Sequence, residues 1–359
     1  MKHWTPDQIA LLSRLRAGFL DGSAGREDYW GNEQVLTLYD RTFGERIAWK
    51  WAAALGELMA RGWRPEISRI VDAGCGSGVA SWSLVTRGKA LLRGGESVVA
   101  WDRSALARAY TARRLREAGV RAEAVREASN SEGMEWGESL VLVSHVATEL
   151  SDSDWGRWTR AFRQARALIW VDAGTHEVSR RLVEQVREPL CAEGWRVIAP
   201  CTHAGACPLR SPGMERHWCH HFAQAPSLVH QDAAWRELSE ALGIDLRALP
   251  YSFLAMENPA LAESAPVLSG VARVLGQPRE FKGYLKILSC EETGSGDWML
   301  QKRDAPSVFR DLVRRRGSPW YRWTREGARI RRAEGVGGRG AFEDNFGEDP
   351  SGDGTCHEG

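Results

Sequence analysis

Ile67-Ser68-Arg69-Ile70-Val71-Asp72-Ala73-Gly74-Cys75-Gly76-Ser77-Gly78 is the stretch whose reading decides the fold. A short apolar run stops at an acid and gives way to glycine at every second position. Such a chain turns sharply at the end of a strand and lets a ligand approach the backbone with no Cβ in the way. A helix is predicted just after it, over about 79–86. Outward from there, residues 97–102, 122–127, 139–145 and 167–173 read as further strands, with helical patterns between most of them. Strands alternating with helices predict an α/β unit built on a parallel sheet covered on both faces. Residues 5–62 ahead of it read as helices. Thr5 can cap the first, with Pro6 at its opening position, and Leu38, Phe43, Ile47, Trp51, Leu55 and Leu58 form the packing stripe of the second.

Asp72, Gly74, Gly76 and Gly78 resemble the D/E-x-G-x-G-x-G signature of class I S-adenosylmethionine-dependent methyltransferases, a Rossmann-like fold. The dinucleotide fingerprint would need a third glycine where Val79 stands. Asp102 ends the next strand, where an acid can accept both ribose hydroxyls of a bound nucleoside, and the long loop 86–97 accounts for its wide spacing from Asp72. Cys75, inside the turn, reads as a small filler. After the fourth strand, where amino-methylating enzymes of this class carry an Asn/Asp-Pro-Pro-aromatic run, the chain has Ser144-His145-Val146-Ala147. Ser144 and His145 read as residues at the cofactor edge, with a base the other role open to His145. Cofactor binding is expected; whether the chain is an enzyme stays open.

The pattern breaks in 200–222, a loop rich in Cys, His, Pro and Gly. Cys201, Cys207 and Cys219 fall within it, and Cys290 ends a later β-like run, 283–290, that can fold back to supply a fourth thiol. Buried thiolates repel one another unless a cation lies between them, so either zinc or a 4Fe-4S cluster suits the set. His203, His217, His220 and His221 are further ligand candidates. Cys191 and Cys356 read as bystanders.

These blocks together resemble one family. The glycine turn, a strand ending in 171–175, the run 199–209, the run 217–222 and a distant Cys after 272–289 are similar to the methyltransferase-like family associated with assembly of the mitochondrial small ribosomal subunit, which also has bacterial members. The likeness spans roughly 36–300, and the cysteine block is its most specific part. It implies a class I methyltransferase domain, a 4Fe-4S cluster on Cys201, Cys207, Cys219 and Cys290, and binding to small-subunit ribosomal RNA. The chain departs from the family pattern at Thr202, where proline is usual, and at His221, which reads as an insertion.

The fold expected is thus an α/β class I methyltransferase sheet with a helical N-terminal region (1–65), a methyltransferase-like domain (66–270) that contains the iron-sulfur loop, a β-rich basic extension (271–335) and a disordered acidic tail (336–359). Across the 359 residues Lys plus Arg nearly cancel Asp plus Glu, for a net charge of +1. That average hides a contrast. Residues 302–332 hold eleven Lys or Arg against three acids, with Trp320, Tyr321 and Trp323 interleaved, whereas 341–359 hold six acids and no Lys or Arg. The basic stretch suits RNA, its arginines on phosphates and its aromatic faces on unpaired bases. No run of about 18 apolar residues exists and no apolar signal core opens the chain, so neither a membrane span nor export is expected. The localisation expected is cytoplasmic and the oligomeric state monomeric. The alternatives are a non-catalytic RNA-binding assembly factor with a vestigial cofactor pocket, and a zinc-containing methyltransferase of another substrate.

Overall fold

A computed structural model gives the structure and describes residues 3–23, 28–130, 134–261, 268–315 and 317–337. The expected acidic tail from residue 338 on, Cys356 and Arg316 lie outside them.

Three helices open the chain, α1 (Pro6–Asp21), α2 (Glu33–Tyr39) and α3 (Glu45–Ala60), the last two joined by a π-helical turn at Asp40–Gly44. Thr5 caps α1 as expected: its hydroxyl accepts from Gln8 N while the Gln8 side chain accepts from Thr5 N. The α/β unit follows as β1 (Arg69–Ala73), α4 (Val79–Arg87), β2 (Ser97–Trp101), α5 (Ala105–Glu117), β3 (Val125–Ala128), β4 (Ser139–Ser144), α6 (Asp152–Phe162) and β5 (Ala167–Ala173). Then come α7 (His176–Leu182), α8 (Glu188–Ala192), β6 (Arg196–Ala199), β7 (His221–Ala223), α9 (Ala233–Leu242) and β8 (Leu249–Glu257).

The strands lie in the order β3-β2-β1-β4-β5-β8-β6, with β7 paired to β8. All neighbours from β3 to β5 are parallel, and β8 enters antiparallel between β5 and β6. This mixed sheet, with helices packed on it, is a class I methyltransferase-like α/β fold. Val71, Leu140, Leu142, Leu168 and Ile169 are fully buried on the central strands, as a sheet covered on both faces requires.

The C-terminal part forms a second sheet from β9 (Ala272–Val274), β10 (Arg279–Phe281), β11 (Tyr284–Glu291), β12 (Gly294–Gln301), β13 (Trp320–Glu326) and β14 (Arg329–Gly335), with α10 (Pro306–Val313) between β12 and β13. Five of these strands close a ring. β9 pairs with β11, β11 with β12, β12 with β14 in parallel, β14 with β13, and β13 with β9 again. Leu285, Ile287, Leu300, Tyr321 and Ile330 fill the interior, closed by Phe309 and Leu312 of α10.

That packing corrects one expectation. Trp320 and Tyr321 are only 2% and 1% exposed, Tyr321 inside the barrel and Trp320 in the joint with the first sheet beneath Arg61 (4.8 Å), so neither can stack on bases. Trp323 lies flat against Tyr321, with ring centroids 5.8 Å apart. Three of the eleven basic residues of that run are in ion pairs: Arg325 with Glu291, Arg329 with Asp304 and Arg331 with Glu326.

Candidate functional site

The glycine turn works through its backbone. Gly74, Gly76 and Gly78 take φ values of +68°, +51° and +74°, the left-handed region that side chains disfavour. A Cβ at Gly74 would stand 2.9 Å from Val146, and one at Gly78 would stand 2.8 Å from Thr111. Gly78 also ends the turn as the residue before α4.

A cavity of about 530 Å³ opens at the carboxyl ends of β1, β2 and β4, the place where open α/β sheets take ligands. Of the expected cofactor residues, Gly74, Gly76, Asp102, Ser144 and His145 line it; Asp72 and Gly78 do not. Asp72 lies beneath the turn. One of its oxygens accepts from Ser81 N (3.1 Å) and Ser81 Oγ (2.5 Å), so its place here is to fasten the first turn of α4 to β1. Burial pushes its carboxyl up to about 7 despite those bonds.

Asp102 holds the rim. Its two oxygens accept from Gly76 N (2.9 Å) and Ser104 N (2.8 Å), which ties the glycine turn to the end of β2 and leaves further lone pairs for a ligand's hydroxyls. The other walls were not foreseen from sequence. Tyr29, Trp30 and Tyr39 from the N-terminal region, with Trp101 and Trp158, give the cavity an aromatic lining. Glu149 projects into it with Tyr29 Oη donating at 3.2 Å, and burial raises its carboxyl to about 7. Glu149 had a faint signal, an acid four residues past His145 in the loop after β4; Trp30 had none.

At the floor, His145 adopts φ +52°, and its Nε2 lies 3.4 Å from Nζ of Lys50 on α3. Burial, with the nearby Lys50 and Arg46, drives the imidazole pKa well down, and burial first lowers Lys50 to about 7. Ser144 Oγ accepts from Trp51 Nε1 at 2.9 Å. The cavity therefore combines a backbone cradle, a carboxylate with lone pairs to spare, aromatic walls and an imidazole that burial favours uncharged, backed by Lys50.

A second cluster forms where the two sheets meet. β6 runs parallel to β1, so Cys201 leaves the sheet at the same edge as the glycine turn. Cys207 and Cys290 pack together with Leu209 and Leu275, and Cys219 packs against that group. Burial raises the thiols of Cys207 (to about 11), Cys219 and Cys290, and in each case the negative charge of the neighbouring cysteines adds to the rise. The fold thus brings all four expected thiols together. Among the described residues, no three His, Cys, Asp or Glu side chains stand so as to hold a single metal ion.

The loop is pinned by its carbonyls. Arg61 donates to Ile198 O, Pro200 O and Cys201 O, while Ser179 and Ser252 hydroxyls both donate to Cys219 O at 2.8 Å. Glu57 of α3 accepts from Arg61 (2.9 Å) and from both nitrogens of Arg273 on β9 (2.6 and 2.7 Å), all three side chains buried. Arg273 also reaches His221 Nδ1 at 3.2 Å, so the residue that reads as an insertion belongs to this knot. Thr202, in the usual proline position, donates to Val271 O at 2.6 Å. His203 and His221 each bring Nε2 to 3.6 Å from a thiol, of Cys290 and Cys219 respectively. Arg187, almost wholly buried, binds Gly205 O at 2.6 Å; burial lowers its pKa, but the charges of Cys201 and Cys191 outweigh that and hold its guanidinium well above the usual range.

Residues 52–320 match the family model described as Rsm22, mitochondrial small ribosomal subunit Rsm22. No curated protein matches the sequence. Similar solved structures include magnesium protoporphyrin IX methyltransferase (ChlM) from Synechocystis PCC 6803 with bound SAM, at 13% identity and a TM-score of 0.37 over 72% of this chain and 100% of that one. Another is N,N-8-amino-8-demethyl-D-riboflavin dimethyltransferase (RosA) from Streptomyces davawensis, at 18% identity and a TM-score of 0.34 over 52% of this chain and 65% of that one. No helix among the described residues is long and apolar enough to cross a membrane.

Proposed function

Because this chain belongs to the Rsm22 mitochondrial small ribosomal subunit family, we propose that it is an S-adenosylmethionine-binding, methyltransferase-like protein that acts on the small ribosomal subunit or its RNA. The observation that carries this reading is the cavity at the strand ends, with the glycine turn on one side and Asp102 on its rim. In it Gly74 and Gly76 admit the ligand against bare backbone, Asp102 accepts the ribose hydroxyls, the aromatic walls exclude water, and Glu149 supplies negative charge for a cationic ligand. When bound, S-adenosylmethionine supplies an electrophilic methyl group; His145 and Lys50 are the groups placed to hold a proton near it.

Titration calorimetry tests the pocket. The wild type is expected to bind S-adenosylmethionine, and Asp102→Asn to weaken that binding by about tenfold or more, the cost of replacing a charged acceptor. No binding to the wild type removes the reading. Crosslinking in cells tests the partner: small-subunit ribosomal RNA should be enriched, and its absence ends the ribosomal claim.

The four thiols fit a 4Fe-4S cluster. Cys207, Cys219 and Cys290 pack together, Cys201 is near enough for its charge to act on all three, and the buried Arg187, paired with Glu188, brings a guanidinium beside them. Cys201, Cys207, Cys219 and Cys290 would hold it. Zinc on the same set is the alternative, and its tetrahedral site needs the thiols to close in. Brown protein after anaerobic purification, with colour lost in Cys207→Ser, is expected; colourless protein retaining zinc favours the alternative.

One observation favours a second reading, that the chain binds the cofactor without transferring its methyl. Ser144 Oγ is engaged by Trp51 and His145 Nε2 by Lys50, so the position after β4 presents no acceptor-binding run.

A further inference from the structure

The five-stranded ring has a connectivity with consequences. In chain order its strands are β9, β11, β12, β13 and β14. They close as first to second, second to third, third to fifth in parallel, fifth to fourth and fourth to first, with α10 between third and fourth. This is the oligonucleotide-binding barrel, in which the outer face of the second and third strands, and the loop joining the first two, take the ligand.

On β11, Leu285 and Ile287 point into the barrel, so Tyr284, Lys286, Leu288 and Cys290 point out. The outer face then divides. At the Cys290 end, Leu288 and Cys290 are packed against the cysteine loop through Leu209 and Met214. The Tyr284 end is open. There β10 and β11 form a hairpin with Lys282-Gly283 at its tip, Gly283 at φ +84°. Its register sets Phe281 opposite Tyr284 and Arg279 opposite Lys286, so these four share the outer face. The Phe281 and Tyr284 rings stack at 4.9 Å and 5°, and Phe281 is 42% exposed. Lys302 N donates to Gly283 O, which brings a further cation to the hairpin tip. Lys282, Lys286 and Lys302 are exposed, and among the described residues none of them makes an ion pair. Arg279 pairs with Asp297 on the same face.

We propose that this open half-face binds a single-stranded segment of RNA, with a base stacked on the Phe281–Tyr284 pair and the flanking phosphates on Lys282, Lys286 and Lys302. The choice of RNA over another partner rests on the ribosomal reading above; the aromatic-and-cation chemistry of the face stands apart from it. A stacked, exposed ring pair offers a π-face that any unpaired base can cover. A duplex keeps its bases inside, so it meets only the lysines.

The test is fluorescence anisotropy of the full chain with a labelled single-stranded RNA of mixed sequence, a duplex of the same sequence, and single-stranded DNA. Single strands should bind more tightly than the duplex. The Phe281→Ala/Tyr284→Ala variant should bind the single strand about 5- to 100-fold more weakly, as loss of a stacked base implies. The triple Lys→Glu variant at 282, 286 and 302 should lower the slope of log affinity against log salt by about 2. Unchanged single-strand affinity and salt slope in both variants overturns the site, as does preference for duplex. Because Phe281 is exposed, an unaltered melting temperature checks that the variant is folded. The outcomes separate the two claims. Crosslinks to small-subunit ribosomal RNA that map away from this hairpin sink the site alone, whereas variant-sensitive binding of single strands with no ribosomal crosslinks in cells sinks the ribosomal reading alone.

Discussion

Both sheets bury most of their aromatic residues, but only some of those around the first sheet also face a cavity. Around the parallel sheet, Tyr29, Trp30, Tyr39, Trp101 and Trp158 face an open cavity at the strand ends. In the barrel, Tyr321 is turned into the core and Trp320 outward into the joint, under Arg61, while the Phe281–Tyr284 pair lies at the surface. An aromatic residue inside a basic run is thus no sign of base stacking by itself. Strand alternation decides which way the ring points, and ring closure decides which face is interior.

The largest effects expected are on the joint between the sheets. Glu57 neutralises two buried guanidinium groups, so Glu57→Ala strands Arg61 and Arg273 in a dry place at a cost of about 3–5 kcal/mol. Urea denaturation should show that loss, and the cysteine loop should open with it because Arg61 anchors two of its carbonyls, Pro200 O and Cys201 O. A loss below about 1 kcal/mol would mean that the knot is not what joins the sheets.

The barrel contrast is sharpened by a pair of truncations on the same sheet. Trp320→Ala removes a buried indole and should cost about 3–5 kcal/mol, whereas Phe281→Ala should stay within about 0.5 kcal/mol of the wild type. Equal costs would break the division into buried and exposed rings.

Next in size is an effect confined to the cavity. Gly76 sits at φ +51°, and a Cβ there would meet Trp30 at 3.3 Å. Gly76→Val should leave the protein folded but abolish calorimetric binding of S-adenosylmethionine, since the added bulk lies where the ligand meets the backbone. Retained binding would place the ligand elsewhere in the cavity.

Much of the first sheet was legible in the sequence because its signals are local. The strand at 167–173 coincides with β5 to the residue, and the glycine turn and Asp102 lie where their spacing put them. Asp72 shows the limit of that reading. An acid at a strand end before glycines marks the turn, but the turn carries it under the backbone to Ser81, away from the ligand space. What stayed hidden depends on contacts distant in sequence. Glu57 meets Arg273 across 216 positions, and Lys50 meets His145 from a helix whose pattern reads as packing alone. The burial of Trp320 follows from its place opposite Arg273 on β9, which turns it into the joint beneath Arg61, and no local period announces that contact. The four cysteines were found because thiols are rare enough to be matched without a period.

The smallest effect expected is a pH dependence, and it bears on the open side of the comparison. Burial raises both Asp72 and Glu149 to about 7, above the range of about 4 that such carboxyls have in an unfolded chain. Between those values the folded protein keeps protons that the unfolded chain has released, so stability falls as pH rises through that window. Glu149→Gln removes one of these contributions and should make the fall shallower in urea midpoints taken at about pH 5 and about pH 7.5. Asp72 supplies part of what remains, with Asp40, Asp102, Asp172 and Glu257, which burial raises in the same direction, while the buried His145 and His221, lowered by burial, act the opposite way. A cationic ligand in the cavity favours the ionised Glu149, so S-adenosylmethionine should bind the wild type more tightly as pH rises through about 7, and Glu149→Gln should bind it with little dependence on pH across the same window. An unchanged stability slope in the variant would show that Glu149 does not titrate there, and an unchanged pH dependence of binding would move the ligand's positive charge away from the Tyr29–Glu149 wall.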